Sequence, residues 1–350
     1  MLLAGADEII NDAAHAIGPL RLLASFAHVG RRRVALFVLA GALLSSVSPL
    51  QAQDFPARPV HVLVGFAPGS GPDIQARTIS QQLVTDLKQA FVVENRMGAN
   101  GTIAARTVAS APPDGYTLLF SSSSLAPAAH VYKQLGYDTV TDLKAIATSG
   151  ELDGLLLLVR ADSPMRSVAD LVSRAKTQRL LYGSPGVGNL LHLTAELFNQ
   201  KAGIKLDHVP YKGASEVMTG LLTGSIDLMF VTPPSVVGLV QDGRVRPLAF
   251  TGSKPFPAFP NVPLLSSEVP GFGRIGSWGM FLAPGRTPDA VVATLNTAIR
   301  QALRVPAVSS IVQRDGYMPD DRGPAETQAF LRAEVERMGE VVRAAGIAPN

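Results

Sequence analysis

At 350 residues with 47% hydrophobic content, the chain is long enough to bury a substantial core and to form about two domains. A formal net charge of only +3, with no basic stripe interleaved with aromatics, excludes a nucleic-acid binder. The absence of cysteine excludes thiol nucleophiles, thiolate metal sites and a disulfide framework, so stability must come from the core.

In chain order, residues 1–28 fit no part of an export signal. They read as an over-extended start, with translation beginning near Val29. A retained amphipathic anchor using Leu22, Leu23 and Phe26 is the other reading. Arg31–Arg33, the apolar run Val34–Leu44 and the small-residue stretch Ser45–Ala52 have the order of a secretory signal peptide, with cleavage expected after Ala52. The leader is thus 1–52. Its removal leaves 27 basic against 25 acidic side chains. No later segment reaches about 18 uninterrupted apolar residues, so export of a soluble chain is expected.

Val60–Gly65 is almost wholly apolar and suits a strand buried on both faces of a parallel sheet. Phe66, Ala67, Pro68, Gly69, Ser70, Gly71, Pro72 and Asp73 follow. A helical pattern then places Ile74, Ile79, Leu83 and Leu87 on one face. The first turn of that helix aims unpaired N–H groups at whatever lies beyond the strand's carboxyl end, which suits a carboxylate or a phosphate. An ordinary strand-to-helix connection is the other reading.

The unit recurs. Leu180–Tyr182 enters Gly183, Ser184, Pro185, Gly186, Val187, Gly188 and Asn189, and a second helix carries Leu190, Leu193, Leu197 and Phe198. Neither loop has the Gly-Lys-Ser/Thr of a nucleotide P-loop or the Gly-x-Gly-x-x-Gly of a dinucleotide site. A small anion held between two loops fits better. Ser121, Ser122, Ser123 and Ser124 follow the strand Tyr116–Phe120, where α/β sheets present ligand contacts, although they also read as linker serines.

Short apolar runs alternate with helical patterns from Phe55 to about Asp153, and again from Leu155 to Phe250, which indicates two α/β units. Pro255–Pro263 reads as a rigid, extended surface connection. Another strand, Ser277–Pro284, and two amphipathic helices, Pro288–Leu303 and Pro324–Ala344, lack a sheet of their own. The chain is therefore expected to cross back, giving lobe 1 from 55–155 with 276–350 and lobe 2 from 156–275. Two crossings make a hinge, and the cleft between lobes is the expected ligand site.

Signals for chemistry are poor. His61, His130, His192 and His208 have no metal-ligand spacing, and no Gly-x-Ser-x-Gly surrounds any serine. Asp73 reads as a helix-start residue favoured by the dipole. Asp227 could meet a ligand amine or merely lead a turn into a strand, and Tyr211 could present a phenol at the cleft or begin the next helix. No enzyme, no metal and no cofactor are expected.

Phe55-Pro-x-Arg-Pro59, Phe66–Asp73, Val93–Arg96, Pro113–Leu119, Val209–Gly213 and Ile226–Phe230, in this order, resemble the periplasmic solute-binding proteins of tripartite tricarboxylate transporters, the Bug family. The resemblance covers nearly all of Phe55–Ile347. It implies a periplasmic, two-lobed α/β clamshell, monomeric, that captures a small organic carboxylate and delivers it to integral membrane transporter subunits. The implied ligand loops are Pro68–Asp73, the serines ending at Ser124, and Ser184–Asn189, with Phe66 beside the first. Pro72 stands where the family commonly has Thr, Leu125 where a His is common, and Asn189–Leu191 where small hydroxylated residues are common. These departures favour a ligand with an apolar or aromatic body. A sensor subunit for a two-component receptor is the alternative role, and an exported hydrolase built on Ser184 a third.

Overall fold

The computed structural model describes residues 55–314 and 316–349; the leader, with its signal peptide and cleavage after Ala52, lies outside the described residues. The chain begins with β1 (Val60–Val64), α1 (Gly71–Leu87), β2 (Phe91–Asn95), α2 (Thr102–Ala109), β3 (Thr117–Ser122), α3 (Leu125–Val131) and β4 (Leu143–Leu152). It continues through β5 (Leu156–Arg160), α4 (Val168–Ala175), β6 (Leu181–Ser184), α5 (Leu190–Ala202), β7 (Asp207–Pro210), α6 (Ala214–Thr223), β8 (Leu228–Val231), α7 (Val237–Gln241), β9 (Val245–Phe250) and α8 (Leu265–Glu268). β10 (Ser277–Pro284), α9 (Asp289–Arg304), α10 (Pro306–Arg314) and α11 (Pro324–Ala344) complete it.

Two five-stranded sheets result, ordered β2-β1-β3-β10-β4 and β7-β6-β8-β5-β9. In each, three neighbouring parallel strands are followed by one antiparallel strand and an edge strand. The antiparallel strand β10 enters the first sheet only after the chain has built the second.

Helices on both faces explain the unbroken apolar strands. Val60, Val62 and Val64 meet Ile79 and Leu83 of α1 and Leu295 and Ile299 of α9, whereas Leu63 and Leu119 face Ala104 and Val108 of α2. In the second sheet Leu156 and Leu158 pack on Val217 and Leu221 of α6, and Leu157 and Val159 join the core that holds Leu171 and Phe198. Each such side chain contributes about 2 kcal/mol on leaving water.

Where the chain passes between sheets, the two connecting segments lie against each other. A Cβ at Gly154 would fall 2.3 Å from Gly252 N, and one at Gly276 would fall 2.3 Å from Leu152 O. Asp153 accepts from Arg274 Nε (2.7 Å) and Ser253 N (2.8 Å). Burial pushes this carboxyl up, but those bonds outweigh it and hold the group below the usual range.

Three features depart from the sequence reading. Pro255–Pro263 lies on the surface as expected but is not extended: it is a series of turns, with Phe259 N on Phe256 O (2.9 Å) and Val262 N on Phe259 O (3.1 Å). Its Phe256 ring lies 5.6 Å from Phe250 and 5.9 Å from Phe259, because the aromatics gain more by covering the second core than prolines lose by turning. The ten-residue β4 and the helix α10 had no clear periodic signal. Lys144, Ser149 and Gly150 interrupt the apolar run of β4, and α10 is short and opened by a proline.

Candidate functional site

β1 and β3 are parallel neighbours, with Val64 opposite Phe120, so the loop after β1 and the serines ending β3 share one edge of the first sheet. The loop after β1 opens α1 with Ser70 as N-cap in extended conformation and Pro72 in the first turn. Pro72 has no N–H, which leaves Gly71 and Asp73 as the forward-pointing amides of that turn. Ser70 Oγ is buried and has no hydrogen-bond partner.

Asp73 is engaged by donors of the protein itself. Its carboxylate, 2% exposed, accepts from Gly69 N (2.8 Å), Arg77 Nε (3.1 Å) and Asn95 Nδ2 (2.8 Å). Asn95 also donates to Phe66 O (3.0 Å) and accepts from Arg77 Nη2 (2.9 Å). Burial pushes the Asp73 carboxyl up, but the bonds from Arg77, Gly69 and Asn95 prevail and hold it below the usual range. This residue shapes Pro68–Pro72 from beneath. Gly65 abuts the next loop so tightly that a Cβ there would fall 2.3 Å from Gly101 Cα.

Among the serines, Ser123 is bonded to Ser277 Oγ (2.9 Å), and its N–H donates to Trp278 O (3.0 Å). Ser122 is half-buried and its Oγ accepts from Ser124 N (3.5 Å). Ser124 Oγ accepts from Asn189 Nδ2 at 3.3 Å, which joins the serine loop to the loop after β6 across the two sheets.

The loop after β6 is held from below by neutral groups. Ser184, 0% exposed, bonds His208 Nε2 (2.7 Å) and accepts from Gly186 N (3.3 Å), and His192 Nδ1 accepts from Gly188 N (3.4 Å). The His192 and His208 rings lie 4.4 Å apart, and His208 stacks on Tyr182, whose hydroxyl donates to Glu196. Burial lowers both imidazoles to about 4, with His192 adding to the fall at His208 and Glu196 opposing it. Gly186 (φ 121°) and Gly188 (φ 79°) make the turn, and Asn189 caps α5 by accepting from Leu191 N (2.9 Å). Val187 is 43% exposed.

The structure therefore brings together Phe66 to Pro72, Ser122 to Ser124 and Ser184 to Asn189, and leaves two predicted residues elsewhere. Asp227 precedes β8, next to the start of β6, where its carboxylate accepts from Leu181 N (2.7 Å); the loop Ser184–Asn189 leaves the other end of β6. Tyr211 donates its N–H to Ser184 O (2.9 Å), but its ring packs on Gly183 and on Gly220 of α6. Leu125 and Leu190 are likewise buried in the core, whereas Phe66, Pro68, Pro72, Leu191 and Val187 are apolar groups that keep some exposure near the junction. Sequence reasoning missed Asn95, Asn100, His192 and His208. Asn100 donates to Val187 O (2.7 Å) and to Tyr132 Oη (3.2 Å), and its one visible signal was the turn-rich run Gly98–Gly101.

Two mixed α/β lobes with strand-end loops meeting between them define the two-lobed fold of periplasmic binding proteins. The chain belongs to the tripartite tricarboxylate transporter family receptors, TctC, whose pattern matches residues 75–347. It is 35% identical over 314 residues to a UPF0065 protein of Bordetella bronchiseptica, covering 89% of this chain and 93% of that one. Among solved structures, R. palustris Rpa4515 with adipate shares 34% identity at a TM-score of 0.78, covering 85% of this chain and all of the other. MatC (Rpa3494) from Rhodopseudomonas palustris with bound malate shares 30% identity at a TM-score of 0.75, covering 82% of this chain and all of the other.

Proposed function

We propose that this protein, once exported to the periplasm, captures a small organic carboxylate between its lobes and delivers it unchanged to membrane subunits of a tripartite tricarboxylate-type transporter. The supporting observation is that Asn189 of the second lobe meets Ser124 of the first at the sheet edge where β1 leads into the 17-residue α1, whose Ser70 Oγ is buried without an acceptor. A carboxylate would accept hydrogen bonds from the Ser70 hydroxyl and the Gly71 and Asp73 amides. That relieves an unmet hydrogen bond costing about 1–3 kcal/mol and places negative charge at the favourable end of the helix dipole.

Turnover is disfavoured by the setting of Ser184. It bonds His208, but its hydroxyl is fully buried and the nearby Glu196 is engaged by Tyr182 rather than by His208. Ester hydrolysis abolished by Ser184→Ala would overturn this part of the reading.

The experiment is a thermal-shift screen of protein beginning at Gln53 against aliphatic and aromatic carboxylates, with recovery of the compound afterwards. Capture predicts a rise in melting temperature by mass action, about 2.7 kcal/mol of stabilisation at a hundredfold excess over Kd, and an unchanged ligand. Pro72, Leu191 and Val187 favour an apolar body, so adipate should stabilise more than malate. Malate as the tighter ligand would sink that preference.

A further inference from the structure

The geometry points to Asn100 as a latch that holds the two lobes together without ligand. Its backbone is left-handed (φ 55°, ψ 31°), inside a single 3-10 turn at Ala99–Gly101. Glycine would hold that conformation at no steric cost, and asparagine tolerates it better than most side chains. What asparagine adds is its amide, which donates to Val187 O at 2.7 Å and to Tyr132 Oη at 3.2 Å.

Val187 O belongs to the Val187–Gly188 peptide, whose N–H points the opposite way because the unit is planar and trans. That N–H donates to His192 Nδ1 at 3.4 Å. One peptide plane in the second lobe is thus gripped on one side by Asn100 of the first lobe and on the other by His192 of its own lobe. The grip is transmitted to the anion loop of the first lobe, since Gly101 lies directly against Gly65. Gly188 sits so close to α3 that a Cβ would fall 2.7 Å from Val131 Cγ1, a second contact between the lobes at this loop.

Asn100 is therefore a positioning residue. It biases the unliganded protein toward the closed arrangement and slows departure of whatever the cleft holds; this second effect rests on the capture reading above. Asn100→Gly keeps the backbone conformation and loses the amide. The expected results are unimpaired folding, a larger radius of gyration by X-ray scattering for the unliganded variant, and about tenfold faster release of adipate, used as the probe. Tyr132→Phe, which spares the bond to Val187, should change release by about twofold. Asn100→Asp, which keeps the left-handed tolerance but cannot donate, should reproduce the glycine variant and serves if that variant fails to fold. Scattering curves and release rates equal to the parent protein's would overturn the latch. A parent protein that binds no carboxylate while its variants still scatter as more open would leave the latch standing and overturn capture instead.

Discussion

The loop after β1 and the loop after β6 are the same device, a buried strand turning through glycines into a helix, yet they are held by opposite means. The first is pinned by a charged carboxylate, Asp73, balanced by Arg77 and threaded through Asn95. The second is pinned by neutral groups, Ser184, His208 and His192, with the charge of Glu196 held one layer further back on Tyr182. The difference teaches that a strand-to-helix loop is shaped from below by whatever polar group the neighbouring strand supplies. An anionic pin is tolerable near an anion site only because Arg77 and the backbone already consume its charge.

Replacing the charged pin should have the largest effect. Asp73→Ala would leave Gly69 N without its acceptor, remove one of the two acceptors of the Asn95 amide and take the carboxylate partner from Arg77. We expect a loss of about 3 kcal/mol in urea unfolding together with loss of carboxylate binding. Retention of full stability would show that the loop is held by something else.

The neutral pin should respond to acid. His192 is free to ionise near 6.5 when unfolded but only at about 4 when folded. Between those values the unfolded chain binds more protons, so stability is full above about pH 6.5 and falls as the pH is lowered toward 4. The loss from His192 is about 3 kcal/mol, and His208 falls in the same direction. Equilibrium unfolding from pH 7.5 to 4 checks this. His192→Gln, which retains an acceptor but does not titrate, should flatten the curve, and an equal slope in that variant would break the contrast between the two loops.

The smallest effect is expected at Asp227, which shares a sheet with the second loop but not its mouth. Asp227→Asn should cost about 1 kcal/mol by weakening its bond to Leu181 N and leave adipate affinity unchanged. A large loss of affinity would return Asp227 to the ligand site.

The placement of the candidate loops was legible because glycine-rich turns between an apolar strand and an amphipathic helix are local patterns. Phe66–Asp73, Ser122–Ser124 and Ser184–Asn189 all lie at strand ends where the sequence placed them. The role of Asp73 was half legible. Its helix-start position follows from sequence, but its three donors come partly from Asn95, a neighbour only through the pairing of β1 with β2. Which of the two readings left open for Asp227 and for Tyr211 fits its place in the fold could not be read locally for a related reason. The end of the sheet from which a side chain acts depends on strand direction and register, which local pattern does not encode.

Periodicity and turn chemistry determined by themselves that this chain makes two α/β units with anion-suited loops, because burial on both faces demands continuous apolar strands and tight turns demand glycine. Only the tertiary structure decided that β10 lies between β3 and β4 and antiparallel to both, that two histidines lie beneath the second loop, and that Asn100 reaches Val187, 87 residues away in sequence. Those contacts join residues far apart along the chain, and local sequence pattern carries no record of which distant groups packing will bring within a hydrogen bond.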